Sequence, residues 1–171
     1  MQISQDAVQM VSGHDPDAVR ESALIWARAK AQRDNDPEPA TAEETMPGIR
    51  RRLALEGSNL ILATSDGLGV GFTLFAPQEQ SLEIFYLAVD PAAWGGGIGS
   101  RLLLSAENHA RKIGRVSLEL WVIRDNARAI RAYENYGFLG TGEAKRDGPN
   151  GRVERRFLKH IGPQPAAPTA A

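Results

Sequence analysis

The chain has 171 residues, no cysteine and a formal net charge of −1. This length is typical of one domain with a substantial core, and the balanced charge argues against a general nucleic-acid-binding surface. Without cysteine there is no disulfide, thiolate zinc site or cysteine nucleophile. No apolar run approaches the roughly 20 residues that cross a bilayer, and no leader pattern opens the chain. We therefore expect a cytoplasmic protein with neither a nucleic-acid nor a membrane partner.

The first third of the chain predicts a short strand, a helix, an acidic loop with prolines, and a second helix. In chain order these segments are residues 7–11, 17–33, 34–45 and 46–55. Asp15 is the expected N-cap of the first helix, and Pro16 suits its first position because the missing N–H has no partner there.

Strands and helices alternate in the rest of the chain. The predicted strands are residues 59–64, 69–76, 82–89, 116–122, 138–144 and 152–160, and the predicted helices are 98–113 and 126–136. In strand 82–89, Leu82, Ile84, Tyr86 and Ala88 fall on one face, and the other face is also apolar, so both faces should be covered. Helices separated by strands predict a layered α/β fold. We expect a single domain over residues 1–161 and a disordered proline- and alanine-rich tail over 162–171.

The segment between strand 82–89 and helix 98–113 contains four glycines, Gly95, Gly96, Gly97 and Gly99. A strand, a glycine turn and a helix N-terminus together present backbone N–H groups to an anion. The dinucleotide-binding pattern fails on spacing because Ser100 or Leu102 stands where its third glycine is needed. The P-loop pattern fails because the chain contains no Gly-Lys pair.

Two sequence blocks carry a resemblance to the GNAT acetyltransferase superfamily. The first is Val89-Asp90-Pro91 with the glycine turn, and the second is Asn126, Ala129, Tyr133 and Gly137-Phe138. The resemblance implies an α/β GNAT fold with a mixed, mostly antiparallel sheet flanked by about four helices. In that fold a V-shaped opening between strands 82–89 and 116–122 would admit acetyl-CoA.

The resemblance also implies a set of residues that bind acetyl-CoA. The backbone of three strand residues would pair with pantetheine, and the turn would hold the pyrophosphate; the full set is Leu87, Ala88, Val89, Trp94, Gly95, Gly96, Gly97, Ile98, Gly99, Ser100, Asn126 and Ala129. Trp94 stands where the family usually has Arg or Gln, and it either contacts the cofactor or only packs on the turn. Asn126 either hydrogen-bonds the cofactor or caps the helix with Asp125.

Tyr133 and Glu83 are the expected catalytic residues. The resemblance places the Tyr133 phenol near the sulfur, where it would protonate the leaving thiolate; without the motif it would be a core tyrosine. The segment from Glu83 to Val89 resembles the histone-acetyltransferase branch, in which a glutamate at this spacing deprotonates the amine through water. Otherwise Glu83 is a solvated strand end.

These residues predict an N-acetyltransferase that moves an acetyl group from acetyl-CoA to a primary amine by direct attack. The acceptor stays open among small amines, amino-acid analogues, antibiotics and peptides, and a homodimer stays open as well. The alternative is a non-catalytic acyl-CoA sensor or interaction module. Five carboxylates, Asp34, Asp36, Glu38, Glu43 and Glu44, either attract a cationic acceptor or form a solvated surface. His14, His109 and His160 lack any metal-ligand spacing, so no metal is expected.

Overall fold

The computed structural model describes residues 7–149 and 151–162. Within them one sheet of seven strands has the order β1-β2-β3-β4-β5-β7-β6. The elements are β1 (Val8–Ser12), α1 (Pro16–Arg33), α2 (Ala42–Leu53), β2 (Asn59–Ser65), β3 (Leu68–Pro77), β4 (Ser81–Val89), α3 (Ile98–Lys112), β5 (Ser117–Ile123), α4 (Ala127–Tyr136), β6 (Leu139–Arg146) and β7 (Val153–His160). The predicted elements are therefore all present, and the α/β class is confirmed.

The sheet is split between β4 and β5, the only parallel neighbours in the described part of the sheet. Their pairing begins at Ser81 with Ser117 and ends at Ile84 with Leu120. Beyond that point both strands continue, β4 to Val89, without pairing to each other. The predicted V-shaped opening is thus confirmed, and residues 85–89 have no strand partner on its side.

A β-bulge corrects the predicted alternation along β4. Tyr86 pairs with Leu74 and Ile84 pairs with Phe75, so Phe85 is an extra residue in the ladder. An extra residue reverses the side on which the following side chains point. Leu82 and Ile84 consequently pack with α3, whereas Tyr86 and Ala88 pack with α1 and α2. The four side chains do not share one face, as the simple period of two predicted.

Helices cover both faces of the sheet. On one face α3 and α4 pack over Phe75, Leu118 and Phe157. On the other face α1 and α2 pack over Leu60 and Phe72. All five of these sheet side chains are at most 1% exposed, so each face forms its own apolar core and the sheet lies between them.

The second helix begins four residues earlier than predicted. The Thr41 hydroxyl accepts a hydrogen bond from Glu44 N, and the Glu44 carboxylate accepts one from Thr41 N. This reciprocal capping box starts α2 at Ala42, and Pro47 lies inside the helix. The prediction of a helix over residues 46–55 and a loop over 34–45 was therefore wrong at both boundaries, and Glu43 and Glu44 belong to the helix.

The first helix begins as predicted, since Asp15 accepts a hydrogen bond from Ala18 N and Pro16 is its first residue. At the other end of the chain, Gly137 ends α4 with a φ of 113°. Asn150 in the predicted β6–β7 turn and residues 163–171 of the predicted tail lie outside the described residues. No helix in the described part of the chain is long and apolar enough to span a membrane.

Candidate functional site

A cavity of about 750 Å³ lies in the opening between β4 and β5. Eleven of the fourteen residues predicted for the site line it, namely Leu87, Ala88, Val89, Trp94, Gly95, Gly97, Ile98, Gly99, Asn126, Ala129 and Tyr133. Glu83, Gly96 and Ser100 are not among its lining residues. The structure thus brings together two sequence blocks that are distant along the chain.

The glycine turn forms one end of the cavity. Asp90 caps a short 3-10 turn over Pro91–Ala93, and Gly95 and Gly97 then adopt left-handed backbone with φ of 84° and 78°. Gly97 is the N-cap of α3 and has no side chain to cap it, so the first N–H groups of α3 face outward without a side-chain cap. A Cβ on Gly95 would meet no protein atom within 4 Å, which shows open space beside the turn. This backbone fits a phosphate group.

Helix α4 brings Asn126 and Tyr133 to the cavity. Asn126 Oδ1 accepts a hydrogen bond from Ala129 N at 3.2 Å, so Asn126 caps α4 while also lining the cavity. Tyr133 is half-buried, and its ring contacts Phe138 edge-to-face at 5.7 Å between centroids. Burial raises the pKa of Tyr133 to about 12, so its phenol keeps its proton in neutral solution.

Glu83 lies at the bottom of the opening, where β4 still pairs with β5. It is half-buried and directly opposite Glu119 in the ladder. Burial, and then the Glu119 carboxylate, raises the pKa of Glu83. Glu119 itself is bound by Ser81 Oγ at 2.7 Å and by Arg156 at 2.9 Å. Glu83 therefore lies beside the strands that form the opening but does not line the cavity.

The family model "Acetyltransferase (GNAT) family" matches residues 23–138, which is more than half of the chain. The chain belongs to the GNAT acetyltransferase family. The matched range contains the glycine turn, Glu83 and Tyr133, so the resemblance of the two blocks to this family is confirmed.

The chain is similar to curated proteins that are named acetyltransferases. A mycothiol acetyltransferase of Actinosynnema mirum is 30% identical over 131 residues, 74% of this chain and 41% of the relative. A mycothiol acetyltransferase of Thermomonospora curvata is 32% identical over 122 residues, 69% of this chain and 40% of the relative. The chain thus spans about two fifths of the length of these relatives.

Solved structures share the GNAT fold at low identity. The ribosomal-protein-S18-alanine N-acetyltransferase of Escherichia coli superposes with a TM-score of 0.71 at 21% identity, covering 95% of this chain and 99% of the other. A GNAT family acetyltransferase of Elizabethkingia anophelis with acetyl-CoA bound gives 0.71 at 17% identity, covering 92% and 100%. These likenesses confirm the fold predicted from the sequence.

In this GNAT chain Trp94 makes two contacts at the mouth of the cavity. Its indole Nε1 donates to the Val89 carbonyl at 2.8 Å, and the Arg128 guanidinium carbon lies 3.7 Å from its ring centroid. Arg128 is exposed and lines the cavity. The pair connects the glycine turn to α4 across the opening, and it places a cation beside Trp94, which has no charge of its own. The sequence interpretation missed Arg128 because nothing near it in sequence indicates a contact with Trp94.

The acidic loop, whose carboxylates could have attracted a cationic acceptor, does not form a wall of the cavity. The five loop carboxylates do not line this cavity. Asp34 pairs with Arg33 and Arg152, which lower its pKa to about 2, and Glu43 pairs with Arg20. The α1–α2 wall instead presents Lys30 and Arg52, so its free charges are positive rather than negative.

The facing wall comes from β5 and the β6–β7 pair, where Trp121, Asp147 and Glu154 line the cavity. Burial first, and then the Asp147 carboxylate, raises the pKa of Glu154, while Lys145 and Arg52 act in the opposite direction. None of these lining residues was singled out from the sequence, because strand pairing alone brings them to the opening. Within residues 7–149 and 151–162, no group of His, Asp and Glu side chains could hold a metal ion.

Proposed function

We propose that this GNAT protein transfers an acetyl group from acetyl-CoA to a primary amine. One observation carries the proposal: the glycine turn, the unpaired stretch of β4 and Tyr133 all line the same cavity. A glycine turn that only connects a strand to a helix would not require an unpaired strand edge and a tyrosine beside it.

The support for acetyl-CoA as the donor is the shape of the backbone. Residues 85–89 have no strand partner toward the opening, so their amides can pair with the amide groups of pantetheine. The N–H groups at the start of α3 suit a diphosphate, and Arg128 adds a positive charge beside the turn. Leu87 and Ala88 are the strand positions we favour, because the Val89 carbonyl already accepts from Trp94.

The chemistry that this arrangement supports is direct attack. The amine nitrogen adds to the thioester carbonyl, forming a C–N bond and a tetrahedral intermediate. The C–S bond then breaks, and the leaving thiolate takes a proton from the Tyr133 phenol. The attacking nitrogen loses its extra proton in the same step, and this proton returns to the Tyr133 oxygen. Because burial raises the pKa of Tyr133 to about 12, the phenol keeps its proton until the thiolate leaves. No cysteine is available for an acyl-enzyme.

Glu83 is our proposed acceptor of the amine proton. A lysine-like amine has a pKa of about 10.4, so most of it is protonated in neutral solution and must lose a proton before attack. Burial beside Glu119 raises the pKa of Glu83, which makes its carboxylate a better base. Since Glu83 does not line the cavity, the proton would pass through water.

The experiment that tests the proposal measures binding and turnover separately. Calorimetry with acetyl-CoA should show one-to-one binding, and a panel of amines should include at least one that releases free thiol from acetyl-CoA. Binding with no thiol release for any amine would favour the alternative, a non-catalytic acyl-CoA sensor. Absence of binding would contradict both functions. A cytoplasmic location and a homodimer stay predictions.

A further inference from the structure

The two acceptor-side walls of the cavity carry opposite charges. Arg52 and Lys30 lie on the α1–α2 wall, and Glu154 and Asp147 lie on the β6–β7 wall. A ligand that fits between them has a positive and a negative end. This distribution of charge does not involve the glycine turn, which lines a different part of the cavity.

Arg52 is the most informative of these charged groups. Its guanidinium carbon lies 4.4 Å from the Phe85 ring centroid, and that ring is the extra residue of the β4 bulge. Among the described residues the Arg52 side chain makes neither an ion pair nor a hydrogen bond, so its donors are free for a ligand. Stacking on an aromatic ring holds a guanidinium plane in place while leaving its edge available.

The other two arginines that line this cavity are Arg33 and Arg128. Arg33 pairs with Asp34 at 2.9 Å, and Arg128 stacks on Trp94 beside the glycine turn. Glu154 and Arg52 influence each other electrostatically but form no ion pair. The unpaired guanidinium therefore faces the same space as an unpaired carboxylate, which is the arrangement that a zwitterion would satisfy.

We propose that the acceptor is an amine that also carries a carboxylate, and that Arg52 binds this carboxylate. The guanidinium edge matches a carboxylate through two parallel hydrogen bonds. The amine end would then face Glu154 and Asp147. This inference rests on the proposed function, and it replaces the cationic acceptor that the acidic loop suggested with an amino-acid-like one.

The test compares matched acceptors in which an amide replaces the carboxylate. The standard L-amino acids and the corresponding L-amino acid amides are assayed with acetyl-CoA by release of free thiol. We expect at least one amino acid to exceed its amide in kcat/KM by about tenfold or more, the usual scale of a charge-assisted hydrogen bond. Equal or faster turnover of the amides would overturn the proposal and indicate an acceptor such as a peptide N-terminus.

The variants Arg52→Gln, Arg52→Lys and Arg50→Gln then assign the effect to Arg52. Arg50 is an exposed arginine of the same helix that does not line the cavity, so it is the matched control. We expect Arg52→Gln to remove the preference for the amino acid over its amide, Arg52→Lys to keep part of it, and Arg50→Gln to leave it unchanged. A preference that persists in Arg52→Gln would overturn the assignment.

The ratio between matched acceptors is the decisive quantity. Arg52 also lowers the pKa of Glu83 and of Glu154, so its loss changes the protonation of both carboxyls. That change acts on both acceptors of a pair, so their ratio depends on it less than either rate does. Failure of this inference is also separate from failure of the proposed function, because transfer to amines without any carboxylate preference would leave acetyl transfer intact.

Discussion

Tyr133 and Tyr136 are two half-buried tyrosines of the same helix, and burial raises the pKa of both to about 12. Only Tyr133 lines the cavity. The two tyrosines therefore form a matched pair for mutation. Comparing them distinguishes the effect of a position at the cavity from the effect of burial alone.

We expect Tyr133→Phe to lower kcat by about 10²–10⁴-fold, the usual contribution of a general acid. The acetyl-CoA dissociation constant should stay nearly unchanged, because the ring and its contact with Phe138 are kept. Steady-state kinetics and calorimetry measure the two effects. The control, Tyr136→Phe, should leave kcat within about twofold. Normal turnover of Tyr133→Phe would mean that water protonates the thiolate.

Glu83 provides a prediction about pH. Its raised pKa means that the basic carboxylate forms only as the pH rises through that higher value, so the acid limb of kcat/KM should lie above the ordinary glutamate pKa of 4.5. Glu83→Gln should lower activity most near neutral pH and less at high pH, where the amine is already neutral.

The exposed Glu79→Gln is the control for that pH profile. The raised pKa also shows that the fold disfavours the charged form of Glu83, so Glu83→Gln should not lower the melting temperature at pH 7. An equal loss of activity at every pH would instead indicate a role in positioning.

At the scale of elements, the glycine turn and α3 form one unit. A Cβ on Gly99 would lie 3.8 Å from Val89 Cγ2, an ordinary contact, so Gly99→Ala should fold. Alanine also favours a helix over glycine by about 1 kcal/mol, so the melting temperature should stay equal or rise. The added methyl beside the first turn of α3 should nevertheless weaken acetyl-CoA binding by about tenfold or more. If calorimetry shows that Gly99→Ala binds acetyl-CoA with unchanged affinity, the phosphate groups do not bind at this turn.

Arg128 connects α4 to that turn through Trp94. Arg128→Gln should raise the acetyl-CoA dissociation constant by about threefold to tenfold, the scale of an exposed charge on a phosphate. The effect should shrink with added salt, because exposed charges are screened. Arg131→Gln, an exposed arginine of α4 that does not line the cavity, should bind normally. Equal affinity of both variants would show that Arg128 only packs on Trp94.

Much of the element plan was predictable because its signals are local. Proline at the start of α1 and glycine at the end of α4 mark helix ends in the sequence itself. The start of α2 was missed because a reciprocal pair, Thr41 with Glu44, outweighs a proline inside the helix. The bulge at Phe85 was missed because an extra residue in a ladder depends on the partner strand.

The site divides in the same way. The cofactor half follows from two sequence blocks, and eleven of fourteen predicted residues line the cavity. The part of the cavity that we assign to the acceptor could not be predicted. Arg52 and Glu154 come to line the same cavity only because α2 packs against the sheet and β7 pairs with β5. The carboxylates predicted for the acidic loop illustrate the converse. Asp34 pairs with its neighbour Arg33 and with the distant Arg152, and Glu43 pairs with the distant Arg20.

At the scale of the whole molecule, the opening divides one sheet into two parts. Strands β1 to β4 form one part, and β5, β7 and β6 form the other. A four-residue parallel pairing joins them, together with a shared apolar cluster that includes Phe75, Leu82 and Phe138. The two parts are thus fixed to each other at the closed end of the V, where Glu83 lies, and the cavity extends from there along the unpaired part of β4.

The unpaired stretch of β4 has a consequence for amide hydrogen exchange. In the free protein, those amides of residues 85–89 that do not bond to β3 should exchange quickly, although they belong to a central strand. Saturating acetyl-CoA should slow them if pantetheine occupies the edge, while amides at Leu82 and Ile84 stay protected in both states. Exchange measured by NMR residue by residue would therefore map the cofactor without a crystal. Unchanged exchange rates over residues 85–89 would show that pantetheine does not bind along this strand edge.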